Sequence, residues 1–219
     1  MALTQNYATH IPIHSHMSNP VELTVTMKID VDGAPNAYCP HGMPALDFEL
    51  NAHEDAVASG KIVGYLTKNN DGRTPIQQGP ADPFPGCFIS TTAFQDKHNS
   101  NDLDPRKNVD ASKINYVVRG TLARQNGVHL GDFVAVHSKK HGRSVYGIVG
   151  DAGNSSGAEG SLALIQSLGY PFQNGKSGES DHNDVVIRYF PGSNPNQQFF
   201  SRQSDLDAAA AALGLSKSF

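Results

Sequence analysis

Cysteine is nearly absent from this sequence of 219 residues, which contains only Cys39 and Cys87. One disulfide at most can form, so the chain is not a disulfide scaffold, and the two positions lack the spacing of a zinc cluster. The sequence leaves open whether they are bonded. Cys87 is a weak candidate nucleophile, because its setting GCFIS is typical of a buried strand, where thiols are usually inert.

Long apolar runs and basic clusters are absent as well. No window reaches the ~20 apolar residues of a membrane-spanning helix, and the start MALTQNYATHIPIHSH has no apolar stretch suited to a signal peptide. Export by the ordinary route is therefore not predicted, unless a leader was removed before Met1. The net charge of -4 and the lack of Lys or Arg runs exclude the basic footprint of a binder of nucleic acid or of a membrane surface.

Turn-forming residues are abundant, with 21 glycines and 13 prolines, while charged residues make up 17%. This composition predicts a turn-rich globular protein, and the length suits one domain. We interpret residues 1–20, which show no sustained periodicity, as an N-terminal arm ahead of a single domain at 21–219. Residues 68–85 and 95–108 are dense in Gly, Pro, Asn and Asp, and they predict long loops that wall a cleft.

Alternation of apolar and polar residues over 21–31 predicts a strand that is buried on one face and ended by Gly33. Ser161 is a predicted cap for the helix LALIQSL, and Ser204 with Asp207 resembles a capping box for an Ala-rich helix that Gly214 ends. Together the elements predict a β-rich α+β domain, with a barrel-like or packed-sheet core of six or more strands and two or three short helices. The further predicted strands are 86–92, 116–119, 132–137, 144–149 and 185–190, with residues 139–143 as the turn of a hairpin.

Lys28, Asp30 and Asp32 emerge on one face of the first predicted strand, within about 13 Å of each other. One interpretation is a solvated sheet surface closed by an Asp-Gly turn. The other is a carboxylate-lined groove in which Lys28 holds one aspartate ionised.

A second constellation is YGIVGDAGNSSGAEGSLAL, where Asp151 ends an apolar strand and Glu159 stands 8 residues later, before the Ser161 cap. The glycines around them permit tight loops, so both carboxyl groups can face one cleft. Glycoside hydrolysis requires such a pair, one as acid and one as carboxylate. The alternative is structural, since Asp often forms turns at strand ends and Glu before a helix is stabilised by the helix dipole.

The sequence only weakly favours one assignment of the acid and base roles to Asp151 and Glu159. The helix entry favours the ionised form of Glu159, which suits a base. If the strand end buries Asp151, desolvation raises its pKa, which suits an acid. Histidines are weaker candidates: His10, His14 and His16, or His137 with His141, lack supporting Cys or acidic spacing, so we predict no metal site.

Several blocks carry a family resemblance, in the order KIDVDGAPNAY, LDFELNA, PGCFISTTAF, DPRKNVDASKINYVV, GVHLGDFVAVHSKKHGRSVYGIVGDAG, AEGSLALIQSLG and FPGS. Over about residues 28–193 the chain resembles the fungal-type chitosanases of glycoside hydrolase family 75. The resemblance implies endo-hydrolysis of β-1,4-linked glucosamine polymers with inversion, without cofactor or metal. It also implies the catalytic pair Asp151 and Glu159, and we predict substrate contacts from Lys28, Asp30, Asp32, Tyr38 and Thr91.

The chain departs from the family pattern at Ala158, where Gly is usual, and at Asn154, where Pro often stands. We expect a secreted monomer that acts on an amino-sugar polysaccharide. One alternative is a cell-wall (peptidoglycan) hydrolase, exported as a toxin and matched by an immunity protein. Others are a non-catalytic glycan-binding domain and a structural module with buried carboxylates.

Overall fold

A curled, mixed sheet of seven strands forms the centre of the computed structural model, which describes residues 19–219. The predicted α+β, β-rich class with a barrel-like core is confirmed. Almost all of the predicted arm, including His10, His14 and His16, lies outside the described residues. The strands are β1 (Val21–Val25), β2 (Lys28–Asp30), β3 (Tyr116–Arg119), β4 (Phe133–Ser138), β5 (Arg143–Ala152), β6 (Glu159–Ser161) and β7 (Val185–Tyr189), and the helices are α1 (Thr121–Gln125), α2 (Leu162–Ser167) and α3 (Gln203–Ala212).

The strand order across the sheet is β1-β7-β4-β5-β3-β6-β2. The predicted hairpin is confirmed, because β4 and β5 pair in antiparallel fashion. The pairs β3–β5 and β2–β6 are parallel, which makes the sheet mixed.

The sheet must curl, because β1 and β2 lie at its two edges yet only two residues separate them in sequence. Six strand spacings of about 4.8 Å would place the edges of a flat sheet about 29 Å apart. Three residue steps, from Val25 to Lys28, span at most about 11 Å. The chain therefore draws the edges together into a half-barrel.

The single strand predicted over 21–31 is wrong, since the pairing stops between Val25 and Lys28. Ser180 causes the break: its Oγ accepts a hydrogen bond from the Met27 N–H at 2.8 Å, and its own N–H donates to the Met27 carbonyl at 2.8 Å. Because these bonds occupy both backbone groups of Met27, β1 pairs with β7 and β2 pairs with β6.

The predicted strand at 86–92 is also wrong. This segment makes only two isolated bridges, from Phe88 to Gln77 and from Ser90 to Tyr65. Cys87 within it is bonded to Cys39, which excludes it as a nucleophile. A disulfide of this kind typically stabilises a fold by ~2–4 kcal/mol.

The two predicted helix starts differ in outcome. The Ser161 cap of α2 is confirmed, because its Oγ accepts from the Leu164 N–H at 3.1 Å. The capping box of Ser204 and Asp207 is wrong, since α3 begins at Gln203. The Gln203 side chain accepts from the Asn115 N–H at 2.8 Å and so anchors the helix start to the sheet.

No helix among residues 19–219 is long and apolar enough to cross a membrane.

Gly33 closes the turn after β2 with a φ of +77°, and its N–H donates to Ser90 Oγ at 3.0 Å. A Cβ at this position would lie 2.1 Å from the Val109 carbonyl oxygen. The chain there tolerates neither an L side chain in this conformation nor the added volume.

We expect Gly33→Ala to destabilise the protein by about 1–3 kcal/mol, because overpacking adds to backbone strain. Gly127→Ala is the matched control, since its φ of +74° is similar but its Cβ meets nothing within 4 Å. Urea unfolding of both variants measures the difference. Equal losses in the two variants would show that the contact with Val109 does not matter.

Candidate active site

A cleft of about 1420 Å³ lies beside β2, β5 and β6. The structure brings all of the predicted site residues to it, since the cleft is lined by Lys28, Asp30, Asp32, Tyr38, Thr91, Asp151 and Glu159. The carboxylate-lined groove therefore describes this face of β2 better than a solvated sheet surface does.

Asp151 reaches the cleft through an irregularity in β5. The register between β3 and β5 shifts there, so that Val117 faces Val149 while Val118 faces Asp151, and Gly150 is skipped. Such a bulge re-aims the side chains that follow it. A Cβ on Gly150 would lie 2.6 Å from the Tyr116 side chain, so only glycine fits beside that ring.

The Asp151 carboxyl group is buried, with 8% of the residue exposed. Its Oδ1 accepts two backbone hydrogen bonds, from the Ala93 N–H at 2.8 Å and the Ala152 N–H at 2.7 Å. Burial raises the pKa of Asp151 to about 6, although these two hydrogen bonds act in the opposite direction. The burial on which the expected acid role of Asp151 depends is present, and a raised pKa suits a group that has to hold a proton.

Asp30 and Asp32 lie against Asp151, since one carboxylate oxygen of each falls within 4.8 Å of the others. Burial raises the pKa of Asp30 to about 8, and the charge of Asp151 adds to the rise. Burial likewise raises the pKa of Asp32 well above its usual range, with the charges of Asp30 and Asp151 adding to it. We call Asp30, Asp32 and Asp151 the carboxyl cluster.

The expectation that Lys28 holds one of these aspartates ionised is wrong. The pKa of Asp30 is raised, through burial and the charge of Asp151. Lys28 is exposed, and it forms no ion pair with a carboxylate in the described part of the chain.

Glu159 opens β6, a strand that was not predicted from the sequence, and it lies two residues before the Ser161 cap. Its backbone neighbour across the parallel pair is Lys28, and the next residue, Gly160, faces Ile29. A Cβ on Gly160 would lie 2.7 Å from the Met27 sulfur, so glycine allows the core to close behind Glu159. Glu159 stands apart from the carboxyl cluster, but its charge raises the pKa of both Asp30 and Asp151.

Tyr38 and Thr91 belong to the wall beside the cluster. Tyr38 is buried, and its ring packs against Tyr65, whose ring stacks on Phe88 at 4.6 Å. Hydrogen bonding by Tyr38 opposes the rise in the pKa of Asp32. The Thr91 N–H donates to the Gly64 carbonyl at 3.2 Å and so fixes the segment that presents the Ala93 N–H to Asp151.

Four further carboxyl groups line the cleft, and we call them its outer wall: Asp47, Glu54, Asp55 and Glu179. Neither this outer wall nor the backbone donor Ala93 was predicted from the sequence. The acidic stretch LDFELNAHEDA, residues 46–56, is the sequence pattern that indicates the outer wall. No side-chain pattern indicates a backbone donor.

The prediction that residues 68–85 and 95–108 wall the cleft is wrong. Of these two segments only Gln95 lines it. The first segment instead lines a separate cavity of about 500 Å³ through Asp71, Gly72 and Arg73. Hydrogen bonds explain why, since Asp71 Oδ1 accepts from the Arg73 and Thr74 N–H groups and closes that loop on itself.

Two groups bear on metal binding in the described residues. His137 and His141 are packed against other side chains, with His137 stacked on Phe219 and His141 set edge-on to Tyr170. The carboxyl cluster brings one oxygen from each of three carboxyl groups within 4.8 Å of the others, an arrangement that can also bind a metal ion. That the chain has no metal site therefore stays a prediction.

No protein-family model matches the chain, and a search of curated proteins likewise gives no match.

The raised pKa values link stability to pH. An aspartate whose pKa rises on folding binds more protons in the folded state, so the free energy of unfolding falls as pH rises from the ordinary value of 3.8 towards about 8. We expect Asp30→Asn, which removes the charge and keeps the shape, to be more stable than the wild type at about pH 8 by about 1 kcal/mol or more. The gain should shrink towards about pH 4.

Urea unfolding at several pH values measures this gain. Asp102→Asn serves as control, because the Asp102 side chain is 83% exposed and lies outside the cleft. A gain for Asp30→Asn that does not change with pH would contradict the linkage.

Proposed function

We propose that this protein is an endo-acting glycoside hydrolase that cleaves β-1,4-linked glucosamine polymers, of which chitosan is the type, with inversion. The observation that carries the proposal is the charge of the cleft, where eight carboxyl groups and one lysine of residues 19–219 line the walls. A cleft of one sign concentrates ligands of the opposite sign. Protonated glucosamine polymers are polycations, and the resemblance to family 75 chitosanases supports the same substrate.

The proposed reaction uses Asp151 as the acid and Glu159 as the base. Asp151 donates its carboxylic proton to the glycosidic oxygen while the bond from that oxygen to C1 breaks. Glu159 takes a proton from the water whose oxygen forms the new bond to C1 on the opposite face. One product ends in an α-hemiacetal and the other in a free hydroxyl group, and solvent returns the protons to their starting positions.

Two features support this order of roles. The pKa of Asp151, raised by burial to about 6, favours a protonated group at mildly acidic pH. Glu159 lies outside the carboxyl cluster, so it can accept a proton from the attacking water molecule separately from the cluster. No metal or cofactor takes part in the proposed mechanism.

We also propose that the enzyme works outside the cell, as a monomer. The Cys39–Cys87 disulfide supports this location, because disulfides persist mainly in oxidising compartments. A toxin that cleaves peptidoglycan and is held by an immunity protein is the alternative. The acidic cleft favours chitosan over it, since peptidoglycan carries carboxyl groups of its own.

We expect Asp151→Asn and Glu159→Gln each to lower turnover by ~10²-fold or more with the fold intact, because neither change removes packing volume. An aryl glycoside whose leaving group departs without protonation should restore much of the rate in Asp151→Asn and little in Glu159→Gln. Steady-state rates measure both, with Asp102→Asn as control. Near-wild-type turnover in both variants would exclude this pair.

We expect chitosan to yield oligosaccharides whose new reducing ends are first α, as inversion of a β linkage requires, at a rate that EDTA does not change. Proton NMR of the fresh digest reports the anomer, and mass spectrometry reports the products. A β-anomer would indicate retention. Muropeptides released from peptidoglycan alone would favour the toxin, and saccharide binding without cleavage would favour the glycan-binding domain.

A further inference from the structure

The carboxyl cluster has no cation to balance it. One oxygen from each of Asp30, Asp32 and Asp151 lies within 4.8 Å of the others, and no Lys, Arg or His in residues 19–219 forms an ion pair with any of the three. Two carboxylates in such contact cannot both ionise freely. Protons must therefore relieve the repulsion, and the cluster retains them to a higher pH than isolated carboxyl groups do.

Hydrogen bonds fix which oxygen of Asp151 carries a proton. Both backbone donors, Ala93 and Ala152, are directed to Oδ1, which therefore acts as an acceptor. Oδ2 accepts no hydrogen bond from the described residues, and it is not among their fully buried unpaired atoms. It is thus open to the cleft and free to hold the proton.

The other two members of the cluster differ in their closest charged neighbour. Asp30 and Asp32 are both half-buried and both line the cleft, and Asp30 Oδ1 accepts from the Asp32 N–H at 2.9 Å. Asp32 Oδ1 is fully buried without a partner among the described residues. Of the neighbouring charges, that of Asp151 raises the pKa of Asp30 most, whereas that of Asp30 raises the pKa of Asp32 most, so Asp30 is the better partner for exchanging a proton with Asp151.

We propose that Asp30 is a positioning residue that shares one proton with Asp151, so that the acid of the reaction keeps a proton to a higher pH than Asp151 alone would. This inference rests on the proposed function, because it assigns Asp30 an effect on the acid of that reaction. The groups that face Asp30 are Asp32 from its own turn, Asp151 from β5, Glu159 from β6 and Tyr116 from β3. All of these are acidic or neutral, so none removes the need for a proton.

The two carboxyl groups titrate as a pair. Burial raises the pKa of both Asp30 and Asp151, and the charge of Asp151 raises that of Asp30 further, so the two protons leave in separate steps that belong to the pair and not to either residue. Between those steps one proton serves both groups.

The test is the pH dependence of kcat/KM on chitosan for Asp30→Asn. We expect the alkaline limb to move towards acid by about one pH unit or more, whatever the change in the rate at about pH 5, because Asp151 loses its proton-sharing partner. Glu54→Gln makes the same charge change in the cleft outside the cluster, and its limb should coincide with that of the wild type. A limb that stays in place, or an equal loss at every pH, would overturn the inference.

A titration of the aspartate carboxyl carbons by NMR separates this inference from the proposed function. We expect coupled steps for Asp30 and Asp151 in the wild type, and a single step for Asp151 in Asp30→Asn. If Asp30 and Asp151 titrate in coupled steps but no glycan is cleaved, proton sharing stands and the proposed hydrolase function is excluded. If a glycan is cleaved but the two groups titrate independently, the hydrolase function stands and proton sharing is excluded. If Asp30→Asn does not fold, Asp151→Asn serves instead, and the Asp30 step should then move towards acid.

Discussion

The two residues between β1 and β2 are the constraint on which the rest of the structure depends. They link strands at opposite edges of the seven-stranded sheet, so the sheet has to curl until those edges approach. Ser180 makes this possible by taking both backbone hydrogen bonds of Met27, which would otherwise continue one strand into the next. Both backbone groups of Met27 are thus paired outside the sheet at the point where the chain passes from one sheet edge to the other.

The curl also creates the site. Asp30 lies on β2 and Asp151 on β5, with β6 and β3 between them, so a flat sheet would hold their backbones about 14 Å apart. Their carboxylate oxygens nevertheless lie within 4.8 Å of each other. Only side chains that converge on the inside of a curved sheet can meet in this way, with the bulge at Gly150 aiming Asp151. Residues 121 positions apart in sequence come together through curvature rather than through long loops.

The sequence predicts much of this and misses what depends on distant contacts. Local patterns predict β3, the β4–β5 hairpin and the Ser161 cap, because period and capping are properties of neighbouring residues. The break at Met27 could not be predicted, since the group that causes it lies 153 residues away at Ser180. Likewise the sequence shows that residues 30 and 151 are acidic. It does not show that the side chains of Asp30 and Asp151 meet, because their proximity follows from the strand order. The Ala93 donor has no side-chain pattern to reveal it.

The proposed function places a polycationic substrate beside an acid catalyst, and the carboxyl cluster offers a physical answer to the problem that this poses. Ammonium groups near a carboxyl group favour its ionised form, so the proposed substrate would tend to draw the proton from Asp151. Negative neighbours have the opposite effect, and in this site Glu159 supplies it for Asp151. In the proposed reaction the excess of carboxyl groups would therefore have two consequences: it would attract the cationic chain, and it would keep Asp151 protonated once that chain is bound. The cost is a folded state that loses stability as these groups ionise, which is the usual consequence of holding an acid ready for reaction.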